Sequence, residues 1–175
     1  GQWSLPGAPP DSMGSELAPR AEGNAASGLP WPLLEPAPPR GVHDLVGALI
    51  RHSDRWPAPW RRDTDPAGFQ WLDADDADHS LYAFVRWGPD GDTAIVGIAN
   101  FTPVPRPGYR VGLPWGGPWE IVLDTDDALW WGSGHRGEDR PGVTGTDDAW
   151  QSLGSSVLID IGPMSMVWLA ARSPG

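Results

Sequence analysis

The chain has 175 residues, a net charge of -11, twelve tryptophans and no cysteine. Without cysteine there are no disulfides and no thiolate metal sites. The acidity argues against nucleic acid and anionic membrane partners, both of which need basic patches.

Residues 1–40 carry Pro6, Pro9, Pro10, Pro19, Pro30, Pro32, Pro36, Pro38 and Pro39. That density forbids a long helix or a central strand and predicts an irregular arm. The chain opens on Gly, with no charged-then-apolar leader, and is expected to be a cytoplasmic protein, processed or a fragment. No apolar run approaches the roughly 20 residues that span a bilayer. In residues 41–56, Val42, Leu45, Val46, Leu49 and Ile50 recur at helical spacing, predicting one amphipathic helix ended by Pro57 and Pro59.

From residue 63 onward the signals are strands and turns. "SLYAFVRW" (80–87) alternates Leu81, Ala83, Val85 and Trp87 against Ser80, Tyr82, Phe84 and Arg86. "GPDGD" follows as a tight turn, with Gly91 free to take a positive φ. "TAIVGIAN" (93–100) is apolar enough for a central strand buried on both faces, and "YRVGLP", "PWEIVLD", "SVLIDI" and "MSMVWLA" add four more. Short strands at this spacing, without intervening helices, predict an all-β fold: an antiparallel β-sandwich of about 7–8 strands over 63–175. The amphipathic helix has only this sandwich to pack against.

Chemistry-bearing stretches are few. "DADDAD" (73–78) has calcium-loop acidity but lacks the EF-hand spacing, the turn Gly and the closing Glu, and reads as a solvated turn. "HRGEDR" (135–140) reads as a charged loop tip. No Ser-His-Asp set, HExxH, P-loop or GxGxxG is present, so no catalytic, metal or cofactor site is expected. "LDTDDALWWGSGH" (123–135) combines aspartates, paired tryptophans and a histidine. Trp119 and Trp168 sit in strand patterns and are expected in the core, with Trp71 and Trp87 packed at strand ends. Trp115, Trp130 and Trp131 lie in Gly-rich turns, where exposed indoles would offer either a sugar platform or an interface with a neighbouring domain.

Several of these stretches, in order and spacing, resemble the C-terminal domain of bacterial 1,4-alpha-glucan (glycogen) branching enzymes, members of the alpha-amylase superfamily. Asn100, Phe101, Thr102, Pro103, Val104, Arg106, Tyr109 and Arg110 match the family's N-F-[TS]-P-V-x-R-x-x-Y-R. Leu123, Thr125 and Asp126 match L-N-T-D, with Asp124 in place of Asn. Gly132 and Ser133 match G-G-S, with Trp131 where a Gly stands; Trp168 and Leu169 match the last hairpin. Upstream, "MGSE" (13–16), "WPLLE" (31–35) and "RGVHDLV" (40–46) resemble the end of the family's catalytic barrel. "PGAPPDS" departs from the family, since it cannot be a buried parallel strand.

The resemblance implies an eroded barrel end over 1–62 (arm 1–40, helix 41–56) and a C-terminal domain over 63–175. The family's chemistry uses an Asp nucleophile, a Glu acid/base and a third Asp in barrel loops; retention needs two carboxyls about 5 Å apart. All three lie upstream in the family, so this chain is expected to be the non-catalytic portion, supporting the barrel and contacting α-glucan (glycogen). The parent activity transfers an α-1,4-glucan segment to a 6-hydroxyl, forming an α-1,6 branch. The alternatives are a free-standing carbohydrate-binding module, or a subunit completing a barrel encoded separately. In each case the aspartates of 123–135 are expected to be turn and capping residues.

Overall fold

The computed structural model describes residues 37–56, 58–73, 80–89, 91–137 and 142–174. The upstream arm to residue 36, residues 74–79, which include the acidic run beyond Asp73, and residues 138–140 lie outside them. In chain order come α1 (Ala37–Arg55), α2 (Ala58–Arg61), β1 (Phe69–Asp73), β2 (Leu81–Trp87), β3 (Thr93–Asn100) and β4 (Arg106–Leu113). β5 (Gly117–Asp124), β6 (Gly142–Gly145), β7 (Ser155–Ile161) and β8 (Ser165–Arg172) complete it. Every pairing is antiparallel, in a six-stranded sheet of order β1-β2-β3-β8-β5-β6 and a two-stranded sheet of β4 and β7. The predicted sandwich is therefore present.

Strand alternation places two cores on opposite faces of the large sheet. Ala94, Val96 and Ile98 of β3 meet Val111, Leu113, Ile159, Val167 and Leu169 between the two sheets. Ile95 points the other way, joining Trp168, Val122 and Leu123 beneath Leu49 of α1. As expected, β3 is buried along its whole length, and Trp119 and Trp168 are core residues. A register shift between Ile121 and Leu123 of β5 marks a bulge. Because of it, Val122 and Leu123 both serve the core under the helix while Ile121 packs against the other.

The helices form a third layer, and several expectations need correction here. α1 begins at Ala37 instead of residue 41. Pro38 and Pro39 occupy its first turn, where the N–H they lack has no intrahelical acceptor to lose. Ala48 is buried beside Leu49, whereas Ile50 is exposed. The seam on the sheet runs through Leu45, Leu49 and Trp56, and Ile50 lies roughly 100° further round the helix than Leu49. Arg86, in the set of β2 residues that alternates with Leu81, Ala83 and Val85, is only 1% exposed. It points into the helical layer, pairs with Asp63 and lies 4.6 Å from the Trp60 ring centre. β6, not predicted, is a four-residue "GVTG" with no alternation to find; the open edge of β5 orders it. Trp71 is exposed in the middle of β1, not packed at a strand end.

Two glycines carry conformational meaning. Gly91 takes φ +71° in the β2–β3 turn, as its sequence context required. Gly97 faces Phe84 across the ladder, and a Cβ there would overlap the Phe84 ring. That ring stacks on Phe69 at 5.4 Å and meets Trp71 edge-on at 6.1 Å, so it has little room to retreat. Gly97→Ala is expected to cost about 1–3 kcal/mol, measured as a lower urea midpoint with unchanged slope; an unshifted midpoint would show that the ring yields.

Candidate functional site: the loop from Leu123 to His135

The loop leaves the end of β5 and is built around carboxylates that accept backbone hydrogen bonds. Asp124 accepts from the N–H of Asp126 at 3.0 Å. Asp127 accepts from the N–H of Leu129 at 2.8 Å and so starts a single 3-10 turn, Ala128–Trp130. Asp126, 6% exposed, accepts from the N–H of Ser133 at 2.8 Å, the Ser133 hydroxyl at 2.7 Å and the N–H of His135 at 3.2 Å. Thr125 ties the loop to β8: its hydroxyl accepts from the N–H of Met166 at 2.9 Å, and its own N–H donates to the Met166 carbonyl at 3.0 Å. Gly132 and Gly162 leave no room for a Cβ because Asp126 fills that space.

Asp124 also pairs with Arg136 at 3.2 Å. Arg136 is buried, which corrects its reading as part of a charged loop tip: its partner lies inside the loop. Burial pushes the Asp124 carboxyl above its ordinary range and prevails over the Asp126 N–H and Arg136, which both favour the anion. The folded chain thus holds a proton that the unfolded chain has already lost. The resulting stabilisation is full below the ordinary value of 3.8 and fades as pH rises through the raised value. The melting temperature of the parent relative to Asp124→Asn is expected to fall with rising pH across that window, then level off. A difference that grows with pH would reverse the sign.

The three aspartates do not form an acid/base centre. The void beside Asp124, Asp126 and Arg136 is about 20 Å³, room for one water. No group of His, Asp and Glu side chains able to hold a metal occurs among the described residues. His43 and Asp44 contact each other at 3.2 Å on the exposed side of α1. Asp73 accepts from the Tyr109 hydroxyl at 3.0 Å, joining β1 to β4. No helix among the described residues is long and apolar enough to cross a membrane.

The candidate tryptophans do not assemble into one platform. Trp115 and Trp130 flank opposite ends of β5, a strand that spans roughly 23 Å. Trp115 is partly buried, stacked on Trp119 at 5.4 Å and beside Trp87 at 6.3 Å. Its expected exposure is thereby corrected: the turn folds it back onto the core. Trp130 is half-buried, with its backbone against Gly41 of α1. Trp131 is 63% exposed and Leu129 68%. Trp131 also takes φ +67°, the left-handed conformation that favours glycine.

That φ sets one further expectation. Relieving a left-handed tryptophan gains about 1–2 kcal/mol, while the freer unfolded glycine costs about 0.4–1. Trp131→Gly is therefore expected to stabilise the chain by about 0.5–1 kcal/mol. A lower urea midpoint would show that the indole supports the fold.

Sequence reasoning missed a second surface. A groove of about 650 Å³ lies on the β4–β7 sheet, lined by Arg110, Thr144, Thr146, Asp148, Ser156 and Leu158, among others. Arg110 carries it to Trp150, whose ring centre lies 4.7 Å from the guanidinium. The available signal was the lone Trp150 in a polar turn.

The model of the alpha amylase C-terminal all-beta domain matches residues 71–172. The 1,4-alpha-glucan branching enzyme GlgB of Pseudomonas putida is 44% identical over 131 residues, covering 75% of this chain and 18% of the relative. That of Pseudomonas syringae pv. tomato is 38% identical over 167 residues (94% and 22%). That of Thermobifida fusca is 37% identical over 169 residues (95% and 22%). The chain spans about a fifth of the length of these relatives. It belongs to the family of the alpha amylase C-terminal all-beta domain, in the form carried by bacterial 1,4-alpha-glucan branching enzymes.

Proposed function

We propose that the chain serves as the non-catalytic C-terminal portion of a cytoplasmic 1,4-alpha-glucan branching enzyme, seated on the catalytic barrel through Leu129 and Trp131. The parent activity would transfer an α-1,4-glucan segment to a 6-hydroxyl. One observation carries the seat. A backbone position that favours glycine displays a tryptophan that is 63% exposed, on a loop fixed by Asp126 and Thr125. Backbone strain that persists at a rigid exposed position points to use of the side chain.

The test mixes the chain with the catalytic portion of the Thermobifida fusca relative and measures association by titration. Trp131→Gly is expected to weaken association at least tenfold while the fold is kept. Undiminished association would remove Trp131 from the seat. A second reading has Trp131 contact glucan directly, since an exposed indole offers a flat face to a sugar ring. Retardation in native gels containing glycogen, lost in Trp131→Gly, supports it.

A further inference from the structure

The β4–β7 groove holds an unusual mixture of side chains. Arg110 on β4 sits opposite Leu158 on β7, and Leu158 is 66% exposed. The Arg110 Nε donates to the Ser156 hydroxyl at 3.1 Å. Among the described residues Arg110 has no carboxylate partner. Thr146 donates its hydroxyl to Asp148 at 3.0 Å. One cation, one carboxylate, three hydroxyls and exposed apolar surface thus share a groove within the range of about 300–1,000 Å³ that holds small ligands.

A second observation comes from the turn just beyond Asp148, which meets the groove residue Arg110 through Trp150. Gln151 and Ser152 take φ +50° and +63° in the tight turn closed by Trp150 and Leu153. Neither is the glycine such a turn favours. Gln151 anchors the turn by accepting from the N–H of Gly112 at 2.9 Å. The result holds Trp150 against Arg110, still 43% exposed. Strained backbone that fixes an exposed aromatic residue beside polar groups is a pattern found at ligand clamps.

We propose that this groove binds a neutral saccharide, with Arg110, Thr144, Thr146 and Asp148 bonding its hydroxyls and Trp150 and Leu158 meeting its apolar faces. Asp148 and the net charge of -11 disfavour an anion. The proposed function narrows the saccharide to an α-1,4-glucan, and that narrowing rests on it; the groove does not.

The test titrates the 175-residue chain with maltoheptaose and, separately, with cellohexaose, following tryptophan fluorescence. Maltoheptaose is expected to bind. Trp150→Ala is expected to weaken it at least tenfold, and so is Leu158→Arg, which fills the groove from an exposed position and spares the fold. Ile50→Ser, at an exposed residue of α1 outside the groove lining, should leave it unchanged. Cellohexaose bound with the same dependence on Trp150 and Leu158, and maltoheptaose not, would support the groove as a saccharide site and count against the branching-enzyme reading. Binding lost only in Trp131→Gly would overturn the groove and keep that reading. No binding of either sugar at millimolar concentration overturns the groove.

Discussion

Replacing Arg86 with alanine is expected to lower the free energy of unfolding by about 3–5 kcal/mol, the cost of breaking a buried ion pair from one side. That is a large share of the roughly 5–15 kcal/mol that holds a domain folded. Arg86 lies in the wall between the large sheet and the helices, against Trp60 and paired with Asp63. Trp60 in turn rests on Trp168 at 5.8 Å. Alanine removes the charge, the packing of the stem and the contact that holds α2 down. Arg86→Met keeps most of the volume and the packing of the stem and should cost about half as much, since the Asp63 carboxylate that both variants deprive of Arg86 is 28% exposed and open to water. Urea denaturation separates the two. Equal losses would mean that charge, not packing, dominates, and a loss below about 1 kcal/mol for alanine would show that the helices close over the gap.

Asp126→Ala is the second large effect, at about 3 kcal/mol. Three donors lose one acceptor, and bonds to a charged group are worth about 1.5–3 kcal/mol each when nothing replaces them. Water can reach the exposed Ser133 and His135, which keeps the total below the simple sum. The damage should be local. Amide exchange across 128–135 should speed up, while β3 and β8 keep their protection. Uniform acceleration would instead mean that the loop is part of the cooperative core. Asp126→Asn keeps one acceptor but turns an N–H₂ toward the His135 N–H, and should fall between the two.

The sandwich was legible because strand period and turn chemistry agree. β2, β3, β7 and β8 each show a clean apolar pattern bounded by Gly, Pro or Asp, and their bounds agree with the predicted runs to within a residue or two. The capping role of Asp124, Asp126 and Asp127 was legible for a similar reason, since short carboxylates beside glycines bond to nearby backbone. What failed was whatever depends on contacts that strand period and turn chemistry do not encode. Arg86 alternates correctly and yet is buried, because helices cover a face that a two-layer sandwich would leave wet. Trp115 sits in a Gly-Pro turn, but a turn sequence does not say which way the turn folds. Trp150 gave no periodic signal at all; only the spatial return of β4 beside β7 brings Arg110 to it.

The placement of α1 and α2 has a consequence for any joint made in this gene. A cut between α2 and β1 looks natural on paper, since every strand among the described residues lies on one side of it. It would nevertheless uncover Ile95, Val122, Leu123 and Trp168 together and part Arg86 from Asp63. The transplantable unit therefore starts no later than Ala37, and a graft made at the first strand would carry an open wound of tryptophan and leucine. The 19 residues of α1 and the four of α2 make the difference between a portable module and an aggregating one.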